Sequence, residues 1–156
     1  MASAVAEQKI KSGYKIEVWD HDPATASALV TSPDGGTTDR YMDGRDLSHF
    51  AVIVAATVFG GNGPTLVEIV AADDAAGTNI TQIKTSGTIA ADALADWVIE
   101  ECSMDEVSQI SAAAGLNLRY VAARITCHHS GDEALVTYLG IPRRSFLNQT
   151  PATTIA

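Results

Sequence analysis

Short runs of apolar residues, separated by clusters of turn residues, dominate this chain. Proline beside glycine, as in SPDGG and GGNGP, supplies the fixed and the positive φ angles that tight turns need. The runs themselves are rich in Val, Ile and Thr, which is typical of β-strands. The pattern therefore predicts about eight strands, over residues 14–21, 27–32, 48–59, 66–73, 80–86, 97–102, 118–128 and 133–140.

The segment SMDEVSQISAAAG has the pattern of a helix instead. Ser103 and Glu106 form a capping box, and Gly115 is the residue expected just past the end of a helix. Val107, Ile110 and Ala114 then share one face, which would lie across one end of a sandwich. A second candidate, AADALAD at 90–96, is too short to be stable alone, and a surface loop is the alternative.

A parallel α/β fold would need a helix between most strands, and only one spacer can hold a proper helix. The predicted fold is therefore mainly β: an antiparallel two-sheet β-sandwich, jelly-roll-like, with one short α-helix. Strand periodicity is lost towards both ends of the chain. We expect a sandwich domain over residues 14–141, an N-terminal arm over 1–13 and a C-terminal arm over 142–156.

Composition narrows the possible partners. The 156 residues suffice for one domain that needs no metal or disulfide. The net charge is -9 and the ten Lys and Arg residues are scattered, which argues against nucleic acid as a partner. We see neither a signal peptide nor a membrane span, and two cysteines do not make a secreted disulfide framework. We therefore expect synthesis in a cytoplasm and no membrane partner.

The stretch CHHSGDE, from Cys127 to Glu133, brings a thiol, two imidazoles and two carboxylates close together in sequence. Strand alternation sends Cys127 to the core and His128 the other way, while His129 begins the turn at 130–132. These side chains do not converge as the ligands of a zinc site must. We interpret the stretch as the tip of a β-hairpin, with histidines suited to a pH-sensitive contact.

Other candidates for chemistry are weaker. Cys102 precedes a helix N-terminus, where the dipole lowers a thiol pKa, so it is the better candidate for a reactive thiol, with an inert core residue as the alternative. Neighbouring acidic residues in a strand point to opposite faces, and the loop at 73–79 lacks the ligand spacing of an EF-hand. No G-x-S-x-G motif is present. We expect no enzyme activity, no cofactor and no metal.

From residue 41 onward the order of the segments resembles a known group. SHFAVIVAATVFGGNG and TLVEIVAADDAAGTNIT are followed by IAADALADWVIEEC, then by LRYVAARIT and by a final strand into YLGIPRR. This order is similar to that of small structural proteins encoded near the capsid genes of tailed bacteriophages. The resemblance covers about two thirds of the chain and rests on the order of these sequence segments. The first forty residues have no clear counterpart.

The resemblance implies a virion structural protein, most plausibly a head decoration (cement) protein on the capsid exterior. Its partner would be the major capsid protein, bound at capsomer junctions to stabilise the capsid. The resemblance also implies a homo-oligomer, with a trimer favoured. A tail or head-to-tail connector component is the first alternative. A carbohydrate-binding sandwich module is the second, with Tyr41, Trp97 and Tyr138, in addition to Trp19, as candidates for its aromatic platform.

Interface energy often comes from buried aromatic and arginine side chains. On this ground we predict five residues that bind the partner, near or within the two arms. For Trp19 a place in the core is an equal alternative. The five are Tyr14, Trp19, Arg143, Arg144 and Phe146.

Overall fold

A computed structural model describes residues 14–21, 29–30, 41–58, 64–89, 97–127 and 133–143. They form nine strands and one helix. The strands are β1 (Lys15–His21), β2 (Leu29–Val30), β3 (Met42–Asp43), β4 (Leu47–Val58), β5 (Pro64–Ala72), β6 (Thr81–Thr85), β7 (Val98–Ser103), β8 (Tyr120–Cys127) and β9 (Glu133–Pro142), and the helix α1 is Met104–Ala114.

The strands form two antiparallel sheets. Sheet I has the order β1-β9-β4-β7, and sheet II has the order β2-β8-β5-β6, with β3 also paired to β8. If the two-residue β3 is left out, eight strands remain. When these are numbered 1 to 8 along the chain, the order is 1-8-3-6 in sheet I and 2-7-4-5 in sheet II. This is the strand order of a jelly roll, so the predicted sandwich class is confirmed.

Each of the eight predicted runs contains a strand. Strand β3 was not predicted, because a strand of two residues is too short to show alternation of apolar and polar positions in the sequence. The run at 27–32 is described only at Leu29–Val30. The second helix candidate at 90–96, residues 1–13 of the N-terminal arm and residues 144–156 of the C-terminal arm lie outside the described residues.

The core lies between the sheets. From sheet I it takes Phe50, Val52, Val54, Val136 and Tyr138, and from sheet II it takes Val67, Ile69, Val121, Ile125 and Cys127, all at most 2% exposed. Strand β5 is buried on both faces from Val67 to Ala72, and Glu68 is the one polar residue of that run. Sheet I differs, because its outer side carries exposed side chains.

Helix α1 joins β7 of sheet I to β8 of sheet II and contacts β4, β6 and β7. The predicted caps are present: the Ser103 hydroxyl accepts the Glu106 amide hydrogen, and Gly115 has a φ of 67°. The predicted buried face is only partly right. Met104, Val107 and Ser111 are buried, whereas Ala114 is exposed.

Ser111 is buried because its hydroxyl connects the helix to the next strand. It donates to the Leu116 carbonyl at 2.7 Å and accepts from the Leu118 amide at 2.9 Å. A buried polar group needs such partners, and here both come from the loop that leads into β8. The position of α1 relative to β8 is thus fixed by one side chain.

Candidate functional site: the outer face of sheet I

The two strands on either side of the stretch CHHSGDE do not pair as a hairpin. β8 and β9 flank it, but they belong to different sheets, so this segment connects the two sheets. Alternation defines which way a side chain points and not which strand is the partner, and for this reason the hairpin prediction was wrong. Cys127 is fully buried, as predicted. His128 and His129 lie outside the described residues.

The Cys102 thiol lies in the core. It is 3% exposed and lies opposite Phe50 in the sheet. Burial, together with the nearby Glu106 carboxylate, raises the pKa of the Cys102 thiol to about 12. Both effects oppose that of the helix N-terminus, so the structure favours the alternative prediction of a core residue.

The acidic loop after β5 uses its carboxylates to hold its own backbone. Asp74 accepts hydrogen bonds from the amides of Ala76 and Thr78, both at 3.0 Å, and from the Thr78 hydroxyl at 2.7 Å. These bonds, the hydroxyl one above all, lower the pKa of Asp74. Asp73 accepts from the Asn79 side chain and from the Asn117 amide. The two adjacent acids therefore build a loop between β5 and β6.

In the described ranges, no three His, Cys, Asp or Glu side chains lie together in a way that could hold a metal ion. None of the helices that the structure describes has the length and apolar character needed to span a lipid bilayer.

The most distinctive surface of the described chain is the outer face of sheet I. Strand alternation places Phe50, Val52 and Val54 in the core, and it turns the residues between them outward. The same holds in β9, where Ala134, Val136 and Tyr138 are buried and Leu135 is 40% exposed. Most outward side chains are nevertheless apolar, so both sides of sheet I present hydrocarbon.

Strand register arranges these side chains in rows across the sheet. One row crosses all four strands: Val18 pairs with Thr137, Thr137 with Ile53, and Ile53 with Ile99. The row on one side contains Ile16, Leu139, Ala51 and Glu101. On the other side Asp20 pairs with Leu135 and Leu135 with Ala55, and Trp97 follows beside Ala55, directly before β7. We call these three rows the outer face of sheet I.

Trp97 and Ile99 are the most exposed large apolar residues of this face, at 70% and 60%. Ile16 and Val18 are exposed as well. Isolated apolar residues on a surface are ordinary, but neighbouring rows across four strands make a patch of the kind that marks an interaction site. The geometry suits binding of a flat apolar surface.

The predicted partner-binding residues are only partly brought together. Tyr14, which is exposed, directly precedes β1, and Arg143 directly follows β9. Lys15 pairs with Gly140, so Tyr14 and Arg143 lie at the same end of sheet I. Trp19 lies further along β1, opposite Val136. Arg144 and Phe146 lie outside the described residues.

Arg143 is held in place by three elements. Its amide donates to the Asp46 carbonyl at 2.8 Å, and its Nε donates to the Leu47 carbonyl at 2.8 Å. The guanidinium also lies 3.5 Å from Asp105 at the start of α1. The end of β9 is therefore fixed to β4 and to α1.

The proposed aromatic platform does not exist as predicted. Tyr138 is fully buried and packs edge-on against Phe50, with ring centroids 5.0 Å apart. Its hydroxyl accepts a hydrogen bond from the Ala123 amide of the other sheet. Tyr41 is half-buried beside the core, and only Trp97 is freely exposed.

Sequence reasoning also missed two charged pairs. Arg124 of β8 makes two hydrogen bonds to Glu68 of β5, and Arg119 makes two to Asp43. The outer face of sheet I was missed for a different reason, since its residues come from four separate segments. The only sequence signal was that β1, β7 and β9 contain apolar residues at both odd and even positions.

Comparisons with known proteins show a similarity to a solved structure. No protein-family model and no curated protein matches this chain. The crystal structure of SPBc2 prophage-derived protein YomS is similar to it with a TM-score of 0.43 and 7% sequence identity. The similarity covers 81% of this chain and 94% of YomS.

Proposed function

We propose that this chain is a virion structural protein of a tailed bacteriophage, a head decoration protein that binds the exterior of the assembled capsid. The observation that carries the proposal is the apolar outer face of sheet I on a rigid sandwich. A decoration protein stabilises a capsid by burying surface against several subunits, and it needs binding faces rather than a reaction centre. The sequence resemblance supplies the phage context.

The position of the chain ends supports the proposal. Tyr14 and Arg143 are the described residues next to the two predicted arms, and both lie at one end of sheet I. Two arms that start from the same end can reach the same partner surface. We propose that this end faces the major capsid protein, with Arg144 and Phe146 of the C-terminal arm making contacts. On the capsid, three copies would cluster at a capsomer junction, as the resemblance implies.

The fold alone does not select this function. Jelly rolls occur in viral capsid proteins, but also in lectins and in cupins. The lectin alternative loses support, since Tyr138 is in the core and cannot stack against a sugar. The tail connector alternative agrees with the same structural features as the decoration protein. The experiment below separates the two.

The test is co-sedimentation with capsids of the phage that encodes the chain, prepared without the protein. The full chain and a variant that ends at Arg143 are compared over a range of concentrations. This variant keeps the bonds of Arg143 to Asp46 and Leu47, so the sandwich end stays intact. We expect the full chain to sediment with capsids and the variant to bind at least tenfold more weakly.

Circular dichroism and thermal unfolding of both proteins serve as the control for folding. Equal binding by the two proteins would contradict a role for the C-terminal arm. Absence of binding by the full chain to capsids, together with binding to isolated tails, would favour the connector alternative over the decoration protein.

A further inference from the structure

We infer that a second copy of this chain packs face to face on the outer face of sheet I. Sheets pack on one another about 10 Å apart through apolar side chains that stand out from the strands. The outer face of sheet I offers three rows of such side chains. This inference concerns the chain free in solution and does not rest on the proposed function; on a capsid, the same face would leave the second copy and contact the capsid instead.

The distribution of exposed apolar residues determines how two copies can meet. In the described part of the chain, every exposed large apolar residue except Ile80 lies on sheet I or directly beside its strands. A head-to-tail contact would need a second apolar surface to receive this face. Because the described residues offer one apolar surface, each copy would bury it against the same surface of the other, which produces a two-fold dimer.

The distribution of charge also agrees with a second copy on the outer face of sheet I. Each copy carries a net charge of -9, so two copies repel one another over most of their surfaces. By strand register, the ionisable residues of the three rows are Asp20 and Glu101, and they lie at opposite edges of the sheet, on β1 and on β7. Repulsion between copies is therefore smallest where apolar surface is greatest. A basic partner would instead be attracted to the acidic parts of the chain.

The size of the face agrees with a small dimer interface. Four strands about 4.8 Å apart and rows about 6.7 Å apart make a surface roughly 19 Å by 20 Å. Because side chains stand out from this surface, two faces together bury on the order of 1,000 Å², near the lower limit for a specific interface. We therefore expect a reversible dimer with a dissociation constant in the micromolar range.

The experiment is sedimentation velocity of the purified full chain from about 1 to 100 μM. We expect the weight-average mass to rise from 16.3 kDa towards twice that value as concentration increases. Trp97→Glu and Ile99→Lys each place a charge on one of the two most exposed large apolar side chains of the face, on its β7 side. Each should raise the dissociation constant by about 30-fold, because the charge would be buried against apolar side chains of the other copy.

Ile80→Lys is the matched control, because Ile80 is also an exposed apolar residue but lies away from sheet I. It should leave the dimer unchanged. Circular dichroism spectra should be the same for all three variants, since the altered side chains are exposed. A full chain that stays monomeric, a trimer in solution, or a dimer that survives both Trp97→Glu and Ile99→Lys would overturn the inference.

A variant that ends at Arg143 distinguishes a second copy from the chain's own C-terminal arm. The thirteen residues from 144 to 156 can extend about 45 Å, which is enough to cross the face. If a second copy is the occupant, this variant dimerises as the full chain does. A monomeric full chain together with a dimeric truncated variant would instead show that the arm covers the face, and would overturn the inference.

Discussion

Arg124 holds Glu68 by two parallel hydrogen bonds across neighbouring strands of sheet II, from Nε to Oε2 at 2.8 Å and from a terminal nitrogen to Oε1 at 3.0 Å. The two residues are direct partners in the register of β5 and β8. The Glu68 side chain is only 6% exposed, and that of Arg124 is 21% exposed. A carboxylate at such a depth is tolerated because both of its oxygens are paired.

Arg124→Met should therefore destabilise the fold strongly. It leaves the Glu68 carboxylate buried without its partner, which costs about 3 kcal/mol, the low end for a buried pair because Arg124 is partly exposed. Urea unfolding measures this loss. Adding Glu68→Gln to the same chain should recover much of it, since no unpaired charge remains.

Lys84→Met is the control for the loss of an ion pair at the surface. Lys84 contacts Glu106 at 2.9 Å, but both side chains are well exposed to solvent. The urea midpoint of this variant should stay near that of the unaltered chain. If Arg124→Met unfolded at the same urea concentration as Lys84→Met, the structural importance of the Glu68 pair would be refuted.

Tyr138→Phe tests the connection between the sheets. Strand β8 pairs with β3 at Val121 and with β2 at Ile125, and between them the Ala123 amide donates to the Tyr138 hydroxyl. Removing the hydroxyl leaves that buried amide without this acceptor, at a cost of about 1–3 kcal/mol. Chemical denaturation should show the loss, while the far-UV spectrum stays unchanged. No change in stability would mean that this bond contributes nothing.

Asp43 makes stability depend on pH in the acid range. Two hydrogen bonds from Arg119 hold the pKa of the Asp43 carboxyl well below its usual value of 3.8. A carboxyl with a lowered pKa in the fold stabilises it above the unfolded pKa, and this contribution is lost as the pH falls towards the folded pKa.

Comparison with Asp43→Asn isolates this effect. The difference in unfolding free energy between the two proteins should be constant from about pH 5 to pH 7 and should shrink as the pH falls below about 4. Urea midpoints at pH 3, 4, 5 and 7 give the profile. A difference that stays the same down to pH 3 would argue against the lowered pKa.

Neither cysteine thiol should react in the native protein. Cys102 and Cys127 are buried, and the pKa of Cys102 is about 12, so little thiolate exists at pH 8. Ellman's reagent at pH 8 should therefore label no thiol quickly, but should label two after unfolding in urea. Rapid labelling of one native thiol would show that one of the two is accessible.

Local sequence rules predicted much of the fold. Ser103, Glu106 and Gly115 predicted the limits of α1, because caps depend on neighbouring residues alone. Alternation likewise placed Cys127 in the core. Such rules succeed wherever the deciding interaction lies within a few residues along the chain.

Pairing between distant segments was beyond these rules. Alternation in β8 and β9 is the same whether the two strands form a hairpin or belong to opposite sheets. In β9, Leu135, Val136, Tyr138 and Leu139 are all apolar or aromatic, so the sequence does not tell which face is buried. Tyr138 was therefore assigned to a surface platform. For the same reason the outer face of sheet I became visible only when four strands were aligned.

Immunogold electron microscopy of purified phage particles that contain this chain tests the central claim most directly. Antibodies raised against the purified protein would label the surface of intact virions. For a head decoration protein, gold should be distributed over the capsid exterior of intact heads. Gold confined to the tail or to the head-to-tail junction, or particles without label, would contradict the account.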